Sequence, residues 1–139
     1  MQGDLDVPPT MQHTYIATED EYSVFYRELR RQLEENGVEV VSTPIDATAT
    51  LSIHIDKTAQ RVLSVSARNV PTEYEVFYSI EYSVESGEDV LLSRQFLNLT
   101  RDYTYDETLV LGKAHEEQLM RDAIASDLVR IVLKQLGSL

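Results

Sequence analysis

The sequence predicts an α+β two-layer sandwich, a mixed, mostly antiparallel four-stranded sheet with two amphipathic helices packed on one face. Three observations predict it. Two stretches carry apolar residues at helical spacing, several others alternate apolar and polar residues with a period of two, and turn signals separate them without a second domain boundary or an internal repeat. The 139 residues, 42% hydrophobic and 26% charged, are the size and make-up of one soluble globular domain. Residues 1–12, polar and with Pro8-Pro9, read as an extended N-terminal arm outside the core, and residues 13–139 as a single domain.

His13 to Ala17 is short, carries Tyr15 and Ile16, and suits a strand. Thr18 to Asp20 offer N-cap oxygens, so a helix is expected from about Asp20 to Asn36, with Tyr22, Phe25, Tyr26, Leu29 and Leu33 as one apolar stripe. Asn36-Gly37 ends it. Val38 to Val41 is a β-branched run that suits a further short strand. From Leu51 to Ala67 the odd positions are mostly apolar, with Leu51, Ile53, Ile55, Leu63, Val65 and Ala67, and the even ones mostly polar, the signature of a half-buried strand. From Tyr74 to Val84 the even positions are apolar, and Glu75, Ser79, Glu81, Ser83 and Glu85 make a polar face interrupted by Phe77. Ser86-Gly87-Glu88-Asp89 is a hairpin turn leading into a strand from Val90 to about Tyr103. The last segment, from Asp106 to Leu136, holds a longer amphipathic helix built on Met120, Ile124, Leu128, Ile131 and Gln135, its start expected after Lys113 because Gly112 weakens a helix.

Composition excludes several functions. With 12 Lys+Arg against 24 Asp+Glu, a net charge of −12 repels phosphate backbones, so nucleic acid is not an expected partner. The absence of Cys removes disulfides, thiol catalysis and Cys-ligated zinc. No apolar run is long enough to cross a bilayer as a helix. The five glycines are too scattered for a phosphate-cradling loop, and His115-Glu116-Glu117-Gln118-Leu119 lacks the second His that a zinc-protease helix requires. His54 and Asp56, two apart on a strand, are expected to share a face and could form a hydrogen-bonded pair or two metal ligands. A hydrolase reading would use those two with Glu75 or Glu81 as a carboxylate pair on the polar sheet face. No cofactor or metal is expected, and no catalytic residue is assigned.

Three stretches together resemble the LptE family of lipopolysaccharide-assembly lipoproteins. They are the early VPPTM, the helix end LRRQLEENGVEVV, and above all EYEVFYSIEYSV followed by LTRDYTYDETLVLGKAHEEQLMRD. The resemblance implies the same β-α-β-β-β-α order and a non-enzymatic subunit of the outer-membrane lipopolysaccharide translocon. Such a subunit plugs and helps assemble the LptD β-barrel, contacts lipopolysaccharide, and sits on the periplasmic side of the outer membrane through a lipidated N-terminal Cys. This chain has neither that Cys nor a signal peptide, and the resemblance places both just before its first residue. In this family a basic residue in the loop after the second long strand and one just before the last helix are associated with lipopolysaccharide; Arg68 in SARNVPTEY and Lys113 in VLGKAHEE occupy the matching places. Cations at strand and helix ends would supply phosphate contacts locally on an otherwise acidic protein. The alternative is a generic periplasmic adaptor that binds another protein through a sheet edge or the open polar face.

Overall fold

The computed structural model describes residues 7–69, 71–104 and 113–139. In chain order these form β1 (His13–Ala17), α1 (Val24–Glu35), β2 (Glu39–Val41), β3 (Ala49–Val65), β4 (Pro71–Ser86), β5 (Asp89–Thr104) and α2 (Lys113–Gly137). The sheet has five strands rather than four, in the order β2-β1-β3-β4-β5. The extra strand is the β-branched run after α1, which pairs parallel to β1 from His13↔Glu39 to Tyr15↔Val41 and so becomes the short outer strand. β1 is parallel to β3 as well, whereas β3, β4 and β5 form an antiparallel meander.

α1 begins later than Thr18 to Asp20 suggest. The Ser23 hydroxyl is the N-cap, accepting from the Tyr26 N–H at 2.9 Å. Thr18 and Asp20 instead close a turn, Asp20 Oδ1 accepting from the Tyr22 N–H at 2.9 Å, and Tyr22 lies 88% exposed outside the stripe. The helix ends as its Asn-Gly pair requires. Gly37 takes φ +88°, its N–H bonds the Glu34 carbonyl and the Val38 N–H bonds that of Leu33, a Schellman closure.

Phe25, Tyr26, Leu29 and Leu33 of α1 and Ile124, Leu128, Val132 and Leu136 of α2 meet Leu51, Tyr74, Val76, Tyr78, Ile80, Tyr82 and Val84 of the sheet in one core. On α2 the stripe is rotated from the expected one: Ala125, Val129 and Leu133 are buried, Ile131 is only partly buried, and Gln135 is held by the Tyr82 hydroxyl. The N-terminal arm contributes too. Pro9–Met11 is a single 3₁₀ turn and Met11 is fully buried, so the expectation of an arm outside the core fails at that residue. The Met11 carbonyl accepts from the buried Thr14 hydroxyl at 2.7 Å.

The largest departure from simple alternation is in β3. Ile53 pairs with Tyr82 and Ile55 with Glu81, so His54 is an extra residue, a β-bulge. Beyond it the faces exchange: Asp56 pairs with Ile80 on the helix side, whereas Ile55, the partner of Glu81, comes to the open side. Ile55, Leu63 and Val65, expected in the core, are 38%, 46% and 53% exposed. A one-residue insertion moves the side chains after it to the other face as far as the next irregularity, and here further register shifts follow between Val62 and Ser64 and between Ser64 and Val65.

Candidate functional site

The two expected lipopolysaccharide-contacting positions lie at the same end of the molecule. Arg68 is exposed in the turn between β3 and β4, where Asn69 adopts φ +62° and the Arg68 N–H donates to Ser66 Oγ at 3.2 Å. Lys113 is the first residue of α2; its side chain and residues 105–112 lie outside the described residues. The end of β5 leads there, since Thr104 pairs with Glu73, close to the β3–β4 turn. Tyr103 fastens this end, stacked on Tyr74 with ring centroids 5.3 Å apart and bonded through its hydroxyl to Gln60 at 3.1 Å and Glu117 of α2 at 3.4 Å. Burial, helped by the Glu117 carboxylate, pushes the Tyr103 hydroxyl up to about 12. Close to Arg68 the hairpin exposes Val62, Leu63 and Val65, so a cation and an apolar strip share one tip.

On the open face, charges are paired along the strands. Arg61 binds Glu75 at 2.7 Å and lies over the Phe77 ring 5.4 Å from its centroid, Arg94 binds Glu81 at 3.0 Å, and the Ser79 hydroxyl donates to Asn98 at 2.7 Å. These contacts occupy the two glutamates of the hydrolase reading. The His54–Asp56 pair is not assembled either. His54 Nε2 meets Ser83 Oγ at 2.8 Å, and the bulge turns Asp56 to the helix side. No group of three potential metal ligands occurs among the described residues.

Asp56 instead joins α1 to the sheet, a connection that alternation in the sequence hides. Its carboxylate accepts from the Tyr78 hydroxyl at 2.7 Å and from the Ser23 hydroxyl, and the Tyr78 oxygen accepts from the Phe25 N–H at 3.1 Å. Burial first, then the Asp56 carboxylate, raises the Tyr78 hydroxyl above its ordinary range. The one sequence signal for this was a Tyr on the core face, whose buried hydroxyl needs a partner. The cleft beside it, about 400 Å³, is lined by Asp20 and Asp56 and also by Lys57 and Arg121, so its charges balance and select no ionic class of ligand.

Among the described residues no helix is long and apolar enough to cross a membrane. Solved structures share the arrangement. The minor lipoprotein of Acinetobacter baumannii matches with a TM-score of 0.75 at 17% identity over 94% of each chain. The rare lipoprotein B of Shewanella oneidensis matches with a TM-score of 0.74 at 24% identity, over 91% of this chain and 94% of that one. An uncharacterized lipoprotein B from Nitrosomonas europaea gives 0.77 at 22% identity, over 95% and 84%. The fold is therefore one found in bacterial lipoproteins. The family model for LptE, described as lipopolysaccharide-assembly, matches residues 11–136, and the chain belongs to that family. The LPS-assembly lipoprotein LptE of Yersinia enterocolitica is 29% identical over 140 residues; the match takes in 96% of this chain and 66% of that protein, just under two thirds of its length.

Proposed function

We propose that this chain acts in lipopolysaccharide assembly as a non-enzymatic subunit that plugs and helps assemble the LptD β-barrel and contacts lipopolysaccharide through Arg68 and Lys113. Family membership across residues 11–136 is the observation that carries the reading. The same proposal places the protein on the periplasmic side of the outer membrane, held by an N-terminal lipid. Two features support it. The open sheet face is polar and ion-paired, which suits the wet, polar lumen of a large barrel. The hairpin tip offers a cation beside exposed Val62, Leu63 and Val65, and a glycolipid with phosphates and acyl chains presents the complementary pair of chemistries. On a chain of net charge −12, an anionic ligand needs such a local cation.

The test has two parts. Affinity capture from outer membranes should recover the LptD barrel after detergent washing; a chain that retains no barrel would remove the plug. Titration with lipopolysaccharide should show roughly tenfold weaker binding for Arg68→Asp and for Lys113→Asp, equivalent to about 1.4 kcal/mol each. Unchanged affinity in both would reject the basic pair.

A further inference from the structure

β5 is the terminal strand of the sheet, 16 residues long, and its outer edge carries no partner strand among the described residues. Its pairing with β4 runs uninterrupted from Gln95 to Thr104, so that stretch is regular and free of bulges. The opposite edge is β2, only three residues long. Long edges are usually blunted by Pro, Lys or a bulge, because a row of unpaired N–H and C=O groups invites another strand. From Gln95 to Thr104 the strand has no Pro and no Lys.

The side chains on the open face of β5 are, in order, Arg94, Phe96, Asn98, Thr100 and Asp102. Arg94 reaches Glu81 on that face, and Phe96, Asn98, Thr100 and Asp102 pair with Glu81, Ser79, Phe77 and Glu75. Phe96 is 58% exposed. Asp102 lies directly across from Glu75, a like-charge pair, and has no ion-pair partner among the described residues. The pattern is self-complementary about its centre. If a second β5 runs antiparallel with the two-fold axis at Asn98, Arg94 of each copy stands opposite Asp102 of the other. Phe96 meets Thr100, and on the helix side Leu97 meets Leu99. Centring on Leu97 puts Arg94 opposite Thr100; centring on Leu99 puts Phe96 opposite Asp102. Of these three registers, the one at Asn98 matches charge with charge.

We propose that β5 pairs edge to edge with β5 of a second copy of this chain, antiparallel about Asn98, joining two five-stranded sheets into one. This goes beyond the proposed function and depends on none of its partners. Each copy carries a net charge of −12, so the association is weak at low ionic strength and strengthens as salt screens the overall repulsion.

The chain has no Cys, so one introduced thiol reports without background. Asn98 is exposed, and directly opposed residues of antiparallel strands have Cα atoms about 4.5–5.5 Å apart, within the roughly 4.4–6.8 Å that a disulfide spans. Asn98→Cys should therefore give a covalent dimer under mild oxidation, while Phe96→Cys, on the same face and edge but off the axis, should give at most about a tenth as much by the same geometric limit. Adding Arg94→Asp to Asn98→Cys should lower the dimer yield several-fold, and adding Asp102→Arg as well should restore it. Circular dichroism identical to the parent chain checks that each variant folds. Equal cross-linking of the two Cys variants, or monomer alone for Asn98→Cys at every protein and salt concentration, would overturn the pairing and leave this edge to a strand of another protein.

Discussion

The two faces of the central sheet are built by the same strands, one residue apart, and are held by different forces. On the helix side Tyr74, Tyr78 and Tyr82 are nearly or fully buried; the Tyr78 and Tyr82 hydroxyls donate to Asp56 and Gln135, and the Tyr103 ring stacked on Tyr74 carries a hydroxyl bonded to Glu117. On the open side Glu75, Ser79 and Glu81 lie in contact with Arg61, Asn98 and Arg94, in pairs whose arginines are about two-thirds exposed. The difference teaches where stability resides. Burial of large apolar side chains is worth about 1.5–3 kcal/mol each, whereas an exposed ion pair is worth about 0–1 kcal/mol. The helix side is thus the part that makes the fold, and the open side is free to be shaped by whatever it meets.

Four measurements would break or sharpen that contrast. The largest effect should come from Leu128→Ala, which empties a fully buried site and should cost about 2–5 kcal/mol in urea unfolding, against less than about 1 kcal/mol for Phe96→Ala on the open side. Comparable losses at the two positions would contradict the division. Next is alkaline pH. Burial raises the hydroxyls of Tyr78, Tyr82 and Tyr103, the last to about 12, so the folded state favours the protonated form. Each contributes stability that is fully present below the ordinary tyrosine value near 10 and is lost as pH rises from there, for Tyr103 through about 12. Absorbance of tyrosinate during a pH titration should show early and late groups, the late one released with unfolding; a single transition near 10 would argue against the buried set. Tyr78→Phe should then cost about 1–3 kcal/mol, because the Phe25 N–H loses its acceptor and Asp56 loses a donor. The smallest effect is expected for Arg61→Ala, under about 1 kcal/mol even with its place over Phe77; a larger loss would mean that the open face also supports the fold.

Much of this architecture was legible in the residues. Both helices, the long meander and the helix-covered tyrosines follow from periodicity, since a period near 3.6 or of two states which side chains share a face. Three local features were not. The N-cap passed from Thr18 and Asp20 to Ser23, because Asx and Ser/Thr oxygens close turns as readily as they cap helices. The bulge at His54 showed only as charged Lys57 and Arg61 at odd positions between apolar ones, and Leu63 and Val65 resumed the apolar parity after them, so Ile55, Leu63 and Val65 were assigned to the core and Asp56 to the open face. Met11 was set aside with a Pro-rich arm, although the 3₁₀ turn at Pro9 folds it inward. Of the candidate site, the exposure of Arg68 in a turn followed from its position after a strand. Its apolar neighbours did not: Val62 is exposed although it pairs with buried Tyr74, and Leu63 and Val65 stand at further register shifts near the hairpin tip.

β1 accompanies β3 only as far as Ser52, while β3 continues to Val65 with β4 and β5 beside it. At about 3.3 Å per residue, the strand therefore carries the turn holding Arg68 roughly 40 Å past its last contact with β1. Geometry makes that projection an amplifier: a change in sheet twist of about 5° where β1 stops, small against the roughly 20° by which neighbouring strands rotate, would sweep the tip through about 3–4 Å.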